Sequence, residues 1–414
     1  MTNAIFRDIG TSIFETMSRL AIESQSINLG QGFPEGLEPR EVLDAAIEAL
    51  RSGPHQYPPM MGVPALRQAV AENGRRFLGL KVDWEREVLV TSGATEALSD
   101  AFFGLLNPGD EVILFEPAYD SYSPILRRAG AIPVPVRLSP PKWELPQDRV
   151  LAAITKRTRA IVLNTPMNPI GKVFDDEELR FLADCLLRHD LIAICDEVYE
   201  HLVFDGRRHK TLFALPEVRD RVVRIGSAGK TFSMTGWKVG YVMADAKLLA
   251  PIARAHQFIT FTTPPALQTA VAFGLGLPDS YFEGLRTTLQ QRRDLLLGGL
   301  RKLGFAVAEV PAAYFAIAAI DGIDIDDDDF RFCERLTREA GVTAVPISAF
   351  FENRDVRTYI RFCFAKRSET LEAALERLAS WRERSIGNAV ASTAPLRDET
   401  AQRPQGSPLA SRPI

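Results

Sequence analysis

Short, almost wholly apolar segments alternate with amphipathic stretches through the middle of the chain. We predict strands at residues 88–91, 111–115, 160–164, 191–195, 222–225 and 239–243. Helical stretches such as residues 177–188 separate most of them. Strands that are apolar throughout and alternate with helices are typical of a mostly parallel sheet covered by helices on both faces. The predicted fold class of this region is therefore α/β.

A different pattern begins near residue 285. We predict a long helix at 280–303, a strand at 314–320, a helix at 327–340, a strand at 356–364 and a last helix from 368 to about 384. This mixture predicts a smaller α+β domain. The expected organisation is an N-terminal arm with part of the small domain at 1–50, a large domain at 51–284, a C-terminal small domain at 285–386 and a disordered tail at 387–414. The tail is assigned from its richness in Ser, Ala, Pro and Gln.

Charge and cysteine content argue against several kinds of partner. The chain of 414 residues has a net charge of -4, so we expect no general attraction to nucleic acid or to an anionic membrane. We find no signal peptide in residues 1–19 and no window that is apolar enough to span a membrane. Four cysteines without a C-x-x-C pair indicate reduced thiols in a cytoplasmic protein.

No metal site is expected from the sequence. The five histidines are scattered, and none pairs with a cysteine or a carboxylate at ligand spacing. An acidic run at residues 324–329 lacks the glycine and the terminal glutamate of a calcium-binding loop. Its carboxylates suit the positive end of a helix that begins near Asp328.

A Gly-Lys-Thr sequence at residues 229–231 raises the question of whether Lys230 binds a nucleotide phosphate. A P-loop needs a glycine five positions before the glycine of Gly-Lys-Thr, and that position is Arg224. A P-loop is also followed by a helix, whereas the residues after Thr231 contain two glycines and show no helical period. The nucleotide hypothesis is therefore the weakest one, and another role is needed for this lysine.

Polar residues of complementary kinds follow five of the predicted strands. In a parallel sheet the carboxyl ends of the strands lie along one edge, where ligands collect. The small-residue sequence Thr91-Ser-Gly-Ala-Thr95 opens a helix and offers free backbone N–H groups to an anion. The other groups at this edge are aromatic rings, amides, a carboxylate, a hydroxyl and a lysine, from Tyr119, Asn164, Asn168, Asp196, Tyr199, Ser227 and Lys230.

One chemistry uses all of these groups. A lysine can form a Schiff base with the aldehyde of pyridoxal phosphate (PLP), and an anion site can hold the phosphate. A carboxylate beside the pyridine nitrogen favours its protonated form, which is the better electron sink for a carbanion at the Cα of an amino acid. The displaced lysine can then move the proton from Cα.

At these residues the chain resembles the fold-type-I PLP-dependent aminotransferases of class I/II, from about Phe14 to about Leu378. It is most similar to the branch that includes the methionine, glutamine–phenylpyruvate and kynurenine aminotransferases. Six motifs match in order: Ile27-Asn-Leu-Gly-Gln-Gly-Phe-Pro34, Gln56-Tyr57 with Gly62-Val-Pro-Ala-Leu-Arg67, Asn164-Thr-Pro-Met-Asn-Pro169, Asp196-Glu-Val-Tyr199, Ser227-Ala-Gly-Lys-Thr-Phe232 with Gly236-Trp-Lys238, and Arg361-Phe-Cys-Phe-Ala-Lys366.

The resemblance implies a fold as well as a reaction. It implies a large domain at 51–284 that binds PLP, with a mostly parallel sheet flanked by helices, and a smaller α+β domain. It implies the transfer of an amino group from an L-amino acid to a 2-oxo acid. The chain departs from its relatives at Pro311-Ala-Ala-Tyr314, where a glycine often precedes the Tyr-Phe strand.

The resemblance also implies roles for the cofactor-binding residues. Lys230 would be the Schiff-base lysine, and Asp196 the partner of the pyridine nitrogen. Tyr199 and Asn168 would donate to the phenolate oxygen of the ring, and Tyr119 would stack on the ring. The phosphate would be bound by Gly93, Ala94, Thr95, Ser227 and Lys238, with Tyr57 from the partner subunit of a homodimer.

Substrate contacts follow from the same resemblance. Arg361 would bind the substrate α-carboxylate, which its fork of N–H groups suits better than a lysine would. Asn164 and the backbone of Gly32 would assist it. Phe14 and Phe261 would line the pocket, Phe261 from the other chain. Because the pocket candidates are aromatic, we expect a neutral donor such as Met, Gln, an aromatic amino acid or kynurenine.

Two other functions fit part of this pattern. A C–S β-lyase of the same fold uses the same lysine, aspartate and arginine, and sequence spacing separates it poorly from an aminotransferase. A PLP-sensing transcription regulator would need a basic helix-turn-helix ahead of the enzyme-like region. The resemblance begins near Phe14, which leaves no room for such a domain before it.

Overall fold

A computed structural model describes residues 3–7, 9–323 and 327–392, without the side chains of residues 385–392. The strands are β1 (Ile27–Asn28), β2 (Val88–Thr91), β3 (Glu111–Glu116), β4 (Ile132–Arg137), β5 (Thr158–Asn164), β6 (Ile192–Asp196), β7 (Val222–Ser227), β8 (Gly240–Ala244), β9 (Ala306–Val307), β10 (Phe315–Ala319), β11 (Val342–Thr343), β12 (Val345–Pro346) and β13 (Tyr359–Cys363).

The α-helices are α1 (Ala4–Arg7), α2 (Ile13–Glu23), α3 (Arg40–Ser52), α4 (Pro64–Leu78), α5 (Trp84–Glu87), α6 (Ala94–Leu105), α7 (Tyr122–Arg128), α8 (Gln147–Ala153), α9 (Asp176–Arg188), α10 (Ala228–Thr231), α11 (Ala246–Ile259), α12 (Pro265–Leu275), α13 (Asp279–Lys302), α14 (Asp329–Arg335) and α15 (Ser368–Ser392). A π-helical turn, Leu336–Ala340, continues α14, and short 3-10 turns lie at Leu212–Ala214, Arg219–Arg221, Thr235–Trp237 and Ile347–Phe350. None of the helices in the described part of the chain is long and apolar enough to cross a membrane.

Seven strands form the central sheet, in the order β2-β8-β7-β6-β5-β3-β4. Only β8 runs antiparallel to its neighbours, β2 and β7. Successive residues of one strand face opposite sides of a sheet, and on β3 Ile113 joins one hydrophobic cluster while Leu114 joins another. Both faces are therefore covered, which explains the continuous apolar strands. The predicted α/β class and mostly parallel sheet are confirmed.

The strand β4 was not predicted, and its sequence explains why. It contains Pro133 and Pro135, which cannot donate a hydrogen bond to a neighbouring strand. It pairs only with β3, so it lies at the edge of the sheet, where proline is tolerated. The other six strands of this sheet lie at or within two residues of their predicted positions.

The smaller domain has an antiparallel sheet in the order β12-β13-β10-β9. Helices α13 and α15 pack against each other beside it, and their Leu296 and Leu378 share one hydrophobic cluster. The N-terminal segment joins this domain, because Met17 of α2 lies in the same cluster and β1 pairs with β11. Asp328 caps α14 by accepting the backbone N–H of Arg331, as expected for the carboxylates there, while residues 324–326 of the acidic run lie outside the described part.

We propose to move two of the predicted domain limits. Helix α3 packs on α12, and its Val42 belongs to the hydrophobic cluster of the large domain, which favours a boundary before α3 rather than at residue 50. Helix α15 runs to Ser392 and thus includes the first residues of the proposed tail. The rest of that tail, residues 393–414, lies outside the described residues.

Candidate active site

The carboxyl ends of β5, β6 and β7 open into a cavity of about 230 Å³, which Arg361 on β13 of the smaller domain also lines. Most of the predicted site residues line this cavity, namely Phe14, Gly32, Gly93, Ala94, Thr95, Tyr119, Asn164, Asn168, Asp196, Tyr199, Ser227, Lys230, Lys238 and Arg361. They come from many separate segments, which the sheet and the neighbouring domain bring together.

One end of the cavity is built to hold an anion. Gly93, with φ of 84°, is the N-cap of α6, so the first N–H groups of this helix have no partner within it. A side chain at Gly93 would lie 3.2 Å from the Cε of Lys238, which shows that the lysine passes close to this turn. Ser227 ends β7 at the same edge. Backbone donors, a hydroxyl and an ammonium group thus line the same cavity.

Lys230 lies on the short helix α10 directly after β7. Its Nζ donates to the hydroxyl of Tyr314 over 3.2 Å, and that hydroxyl donates to the carbonyl of Gly32, also over 3.2 Å. Burial lowers the pKa of Lys230, but Tyr314, Tyr119 and Asp196 outweigh it and leave the pKa above its ordinary value. No long helix follows this lysine, because α10 ends at Thr231, so the P-loop hypothesis fails.

Asp196 ends β6 and is held by two donors. The hydroxyl of Tyr122 donates to its Oδ2 over 2.5 Å, and the backbone N–H of Val198 lies 3.4 Å from its Oδ1. Burial raises the pKa of Asp196, while these donors and Lys230 act in the opposite direction without cancelling it. A cation beside this carboxylate would favour its ionised form.

The two amides hold the loop that follows β5. Asn164 donates from Nδ2 to the backbone carbonyl of Asp196 over 2.9 Å and accepts the backbone N–H of Asn168 over 2.8 Å. Asn168 in turn accepts from Nη1 of Arg361 over 2.9 Å. The Oδ1 of Asn168 is thereby occupied, and its Nδ2 is left as a donor to a ligand.

Arg361 is buried and forms no ion pair with a carboxylate among the residues that the structure describes, although the carboxylate of Asp120 acts on it from farther away. Its Nη2 donates to the carbonyl of Gly30 over 2.7 Å, and its Nε has no hydrogen-bond partner. Its guanidinium carbon lies 4.0 Å from the ring centre of Phe315 and 5.1 Å from that of Phe14. Burial lowers its pKa to about 10. Since burying a charge without a partner is costly, this arginine fits a carboxylate ligand.

Aromatic side chains surround these polar groups. The ring of Tyr199 meets the ring of Tyr314 edge-on at 5.2 Å, and Tyr119 meets Tyr122 in the same way at 5.7 Å. Phe14, on α2, packs edge-on against Phe350 at 5.8 Å. Burial raises the pKa of Tyr199 and of Tyr119 above the ordinary value of a phenol, so both hydroxyls remain protonated at neutral pH.

Tyr57 and Phe261 lie outside the cavity of their own chain. The exposed fraction is 83% for Tyr57 and 40% for Phe261, and their rings meet edge-on at 5.6 Å. Phe258, near the end of α11, is 85% exposed. Exposed rings that contact each other form an apolar patch, and such a patch is suited to binding another protein surface.

Sequence reasoning missed two tyrosines that contact the predicted catalytic groups. Tyr122 follows Tyr119 by three positions and reaches Asp196, and Tyr314 precedes β10 and reaches Lys230. The Tyr-x-x-Tyr spacing was the only local signal for Tyr122.

Ala313, at the position where relatives often have a glycine, has φ of 62°, a conformation that favours glycine.

A cluster of titratable groups lies behind the anion-binding turn. Atoms of Glu96, Asp100 and His256 that could bind a metal all lie within 4.8 Å of one another. The sequence spacing of the histidines showed no sign of this cluster, because the contacts join α6 to α11 across the fold.

The fold and this site together define a PLP-dependent aminotransferase. Residues 24–378 match the profile of the family "Aminotransferase class I and II", and the chain belongs to that family. The cofactor is PLP, and the chain is an enzyme that transfers amino groups. The named relatives of this chain are aminotransferases, so the alternative of a C–S lyase is not favoured.

Several relatives align along almost the whole chain. A probable N-succinyldiaminopimelate aminotransferase of Mycobacterium tuberculosis is 42% identical, over 93% of this chain and 99% of that protein. The methionine aminotransferase of Escherichia coli is 39% identical, over 89% and 96%. The crystal structure of an E. coli protein with methionine aminotransferase function superposes with a TM-score of 0.89, at 38% identity, over 92% of this chain and 99% of that one. Kynurenine–oxoglutarate transaminase 1 of Rattus norvegicus is 37% identical, over 91% and 96%.

The residues of the cavity fit PLP. The turn at Gly93 with Lys238 suits the phosphate, and a side chain at Gly240 would lie 2.6 Å from the carbonyl carbon of Gly93, so the close approach at this turn depends on glycine. Asp196 suits a protonated ring nitrogen, and Lys230 suits the aldehyde. The unpartnered Nε of Arg361 leaves a donor for the carboxylate of a substrate.

Proposed function

We propose that this enzyme moves the amino group of a neutral L-amino acid to a 2-oxo acid, with Lys230 as the lysine that bonds to PLP. The observation that carries the proposal is the placement of Lys230 and Arg361 in one cavity, together with a buried Arg361 that forms no ion pair with a described carboxylate and whose Nε has no hydrogen-bond partner. An amine-reactive group and a carboxylate-binding group at one site suit an amino acid substrate.

Arg361 binds the α-carboxylate of both substrates. Each Nη makes one hydrogen bond within the protein, and Nε makes none, so donors remain for a ligand. The carbonyl of Gly30 and the amide of Asn168 fix the plane of the guanidinium. A substrate carboxylate held there orients the Cα toward Lys230.

Lys230 removes and returns the proton at the substrate Cα. When bound, PLP supplies the electron sink that stabilises the electron pair left at Cα. Tyr314 holds the ε-amine of Lys230 by its hydroxyl when the amine is free, and thereby keeps the base within the cavity. Asp196, fixed by Tyr122, holds a proton at the ring nitrogen in place.

The charges of the cavity favour a neutral side chain on the donor. Among the described residues that line it, the cations are Lys230, Lys238 and Arg361, and each already has a role. No lining cation is left for a second carboxylate. Phe14, Phe33 and Phe315 provide apolar walls instead. The names of the methionine and kynurenine aminotransferases support donors of this kind, whereas the N-succinyldiaminopimelate aminotransferase is named for a donor with further carboxylates.

We further propose that the enzyme is a cytoplasmic homodimer with shared active sites. The exposed pair Tyr57 and Phe261 is the surface feature that supports shared sites, with Tyr57 reaching the phosphate and Phe261 the substrate pocket of the partner. The four cysteines are buried and unpaired, which suits a reducing compartment.

A substrate screen tests the proposed specificity. Each common amino acid is incubated with 2-oxoglutarate, pyruvate or phenylpyruvate, and the new oxo acid and the new amino acid are both measured. We expect Met, Gln, aromatic amino acids or kynurenine to react faster than aspartate, and only in the presence of an acceptor. A preference for aspartate would contradict the neutral-donor proposal, and oxo acid formed without an acceptor would contradict amino transfer.

A further inference from the structure

A buried ionic cluster lies directly behind the proposed phosphate site. The Nδ1 of His256 lies 2.8 Å from Oε1 of Glu96 and 3.6 Å from Oδ2 of Asp100, and its Nε2 lies 3.1 Å from the carbonyl oxygen of Met60. His256 and Asp100 are fully buried, and Glu96 nearly so. None of the roles given to the residues of the cavity involves this cluster.

The hydrogen bonds favour a charged histidine, because the hydrogen bonds to Glu96, against the effect of its burial, lower the pKa of that carboxyl group and keep it ionised. Both ring nitrogens of His256 face oxygen acceptors, and a neutral imidazole carries only one N–H donor. An imidazolium ion satisfies the carboxylate of Glu96 and the carbonyl of Met60 together. Burial acts to lower the pKa of His256, but Asp100 and Glu96 outweigh it and raise the pKa to about 9.

This cluster is bonded to the turn that opens α6. Glu96 accepts the backbone N–H of Ser92 with its Oε2, while its Oε1 faces His256. Ser92 and Glu96 flank the residues of the proposed phosphate site, Gly93 to Thr95. A carboxylate at the third position of a helix that binds back to the preceding turn fixes the start of the helix. His256 in turn fixes that carboxylate.

His256 also reaches the two segments that carry Tyr57 and Phe261. Its Nε2 donates to Met60, three residues after Tyr57, and its backbone carbonyl accepts the N–H of Phe261 over 2.8 Å. The hydroxyls of Ser92 and Thr263 lie 2.9 Å apart and add a second connection between the turn and the Phe261 segment. One residue therefore ties the turn to both proposed subunit-contact segments.

We propose that protonated His256 is a positioning residue for the cofactor phosphate, which holds the turn Ser92–Thr95 in its binding conformation through Glu96. This inference rests on the proposed phosphate site. It predicts that His256 governs affinity for the phosphate of the cofactor and not for its ring.

A comparison of two ligands isolates that effect. Pyridoxamine phosphate and pyridoxamine differ by the phosphate, and neither can bond covalently to a lysine amine. Their dissociation constants are measured on cofactor-free wild type and on His256→Gln. We expect the variant to lose about tenfold in affinity for pyridoxamine phosphate, the effect of one charge-assisted hydrogen bond, with little change for pyridoxamine.

The control variant is His201→Gln. His201 is also buried, but its ring packs on Phe77 and Phe282, and its Nε2 has no hydrogen-bond partner among the described residues. It should preserve the preference for the phosphorylated ligand. If His256→Gln weakens both ligands equally, or neither, the positioning role is wrong. If wild type shows no preference for the phosphorylated ligand, the proposed phosphate site fails instead.

The pH dependence provides a test that a merely structural residue would not pass. The described charged groups that face His256 are Glu96 and Asp100, both from α6. Because its pKa is raised to about 9, its charge is complete below pH 6.5 and is lost as the pH rises through 9. The preference of wild type for the phosphorylated ligand should fall over that range, and His256→Gln should lack this change.

A second variant covers the case in which His256→Gln does not fold. Glu96→Gln keeps the shape of the side chain but removes a charge that stabilises the imidazolium, so the fall in phosphate preference should move to lower pH. An unchanged pH profile in Glu96→Gln would contradict the proposal. Elemental analysis checks the metal alternative, since one divalent ion per chain that is lost in His256→Gln would show that a metal, and not a proton, holds the cluster together.

Discussion

The hydroxyl of Tyr122 donates to Oδ2 of Asp196 over 2.5 Å, within the buried edge of the central sheet. Burial raises the pKa of Asp196, and this hydrogen bond acts in the opposite direction. The phenol thus helps to keep the proposed partner of the PLP ring nitrogen ionised. Tyr122 comes from α7, so it also fixes this helix to the end of β6.

Tyr122→Phe tests this relationship. Without the hydroxyl, the pKa of Asp196 rises further, and the carboxylate is lost at a higher pH. We expect kcat to fall by about tenfold, as for the loss of one hydrogen bond to a charged group, and the acid limb of the kcat profile to move to higher pH. Tyr119→Phe is a matched control, because Tyr119 makes no described hydrogen bond to Asp196. An acid limb that stays in place in Tyr122→Phe would contradict the assigned role.

Tyr314→Phe tests the contact that holds Lys230. Tyr314 accepts a hydrogen bond from the lysine and favours its charged form, so the variant should lower the pKa of Lys230. In cofactor-free protein, the rate at which Lys230 reacts with an amine-modifying reagent should therefore rise at a lower pH than in wild type. Peptide mapping identifies the modified lysine. An unchanged or raised pKa would show that Tyr314 does not stabilise the charged amine.

Arg361→Lys tests the shared carboxylate site. A lysine lacks the planar fork of donors, so we expect the KM of the amino donor and the KM of the oxo acid to rise together, by about tenfold or more. Steady-state kinetics with both substrates varied provides the measurement. If only one KM rises, the two α-carboxylates bind at different places.

Much of this site could be predicted from local sequence, because its residues follow strands that share one edge. Lys230, Asp196 and Asn168 were found in this way. The contacts of Tyr314 with Lys230 and of His256 with Glu96 join residues that are 84 and 160 positions apart, and no local pattern records them. The edge strand β4 was missed because its two prolines are unfavourable in a central strand. It forms a strand through its pairing with β3, which no local pattern shows.

Shared active sites can be tested with two inactive chains. Lys230→Ala lacks the reactive lysine, and Tyr57→Ala is used at limiting PLP, where the loss of a phosphate contact is most severe. If Tyr57 serves the partner, a hybrid dimer has one intact site, and the other site lacks both groups. With random assortment about half of the dimers are hybrids, so co-refolded mixtures should regain roughly one quarter of the wild-type activity per site. No gain over the separate variants would show that Tyr57 serves its own chain.

The central claim, that Lys230 bonds to PLP, can be tested most directly by reduction. The holoenzyme is treated with borohydride, digested, and mapped by mass spectrometry for the lysine that carries the pyridoxyl group. Lys230→Ala serves as the control, and it should still bind PLP through the phosphate and ring contacts without retaining it after reduction and denaturation. We expect the pyridoxyl group on Lys230 alone. A pyridoxyl group on another lysine in the wild type would contradict the assignment of the active site.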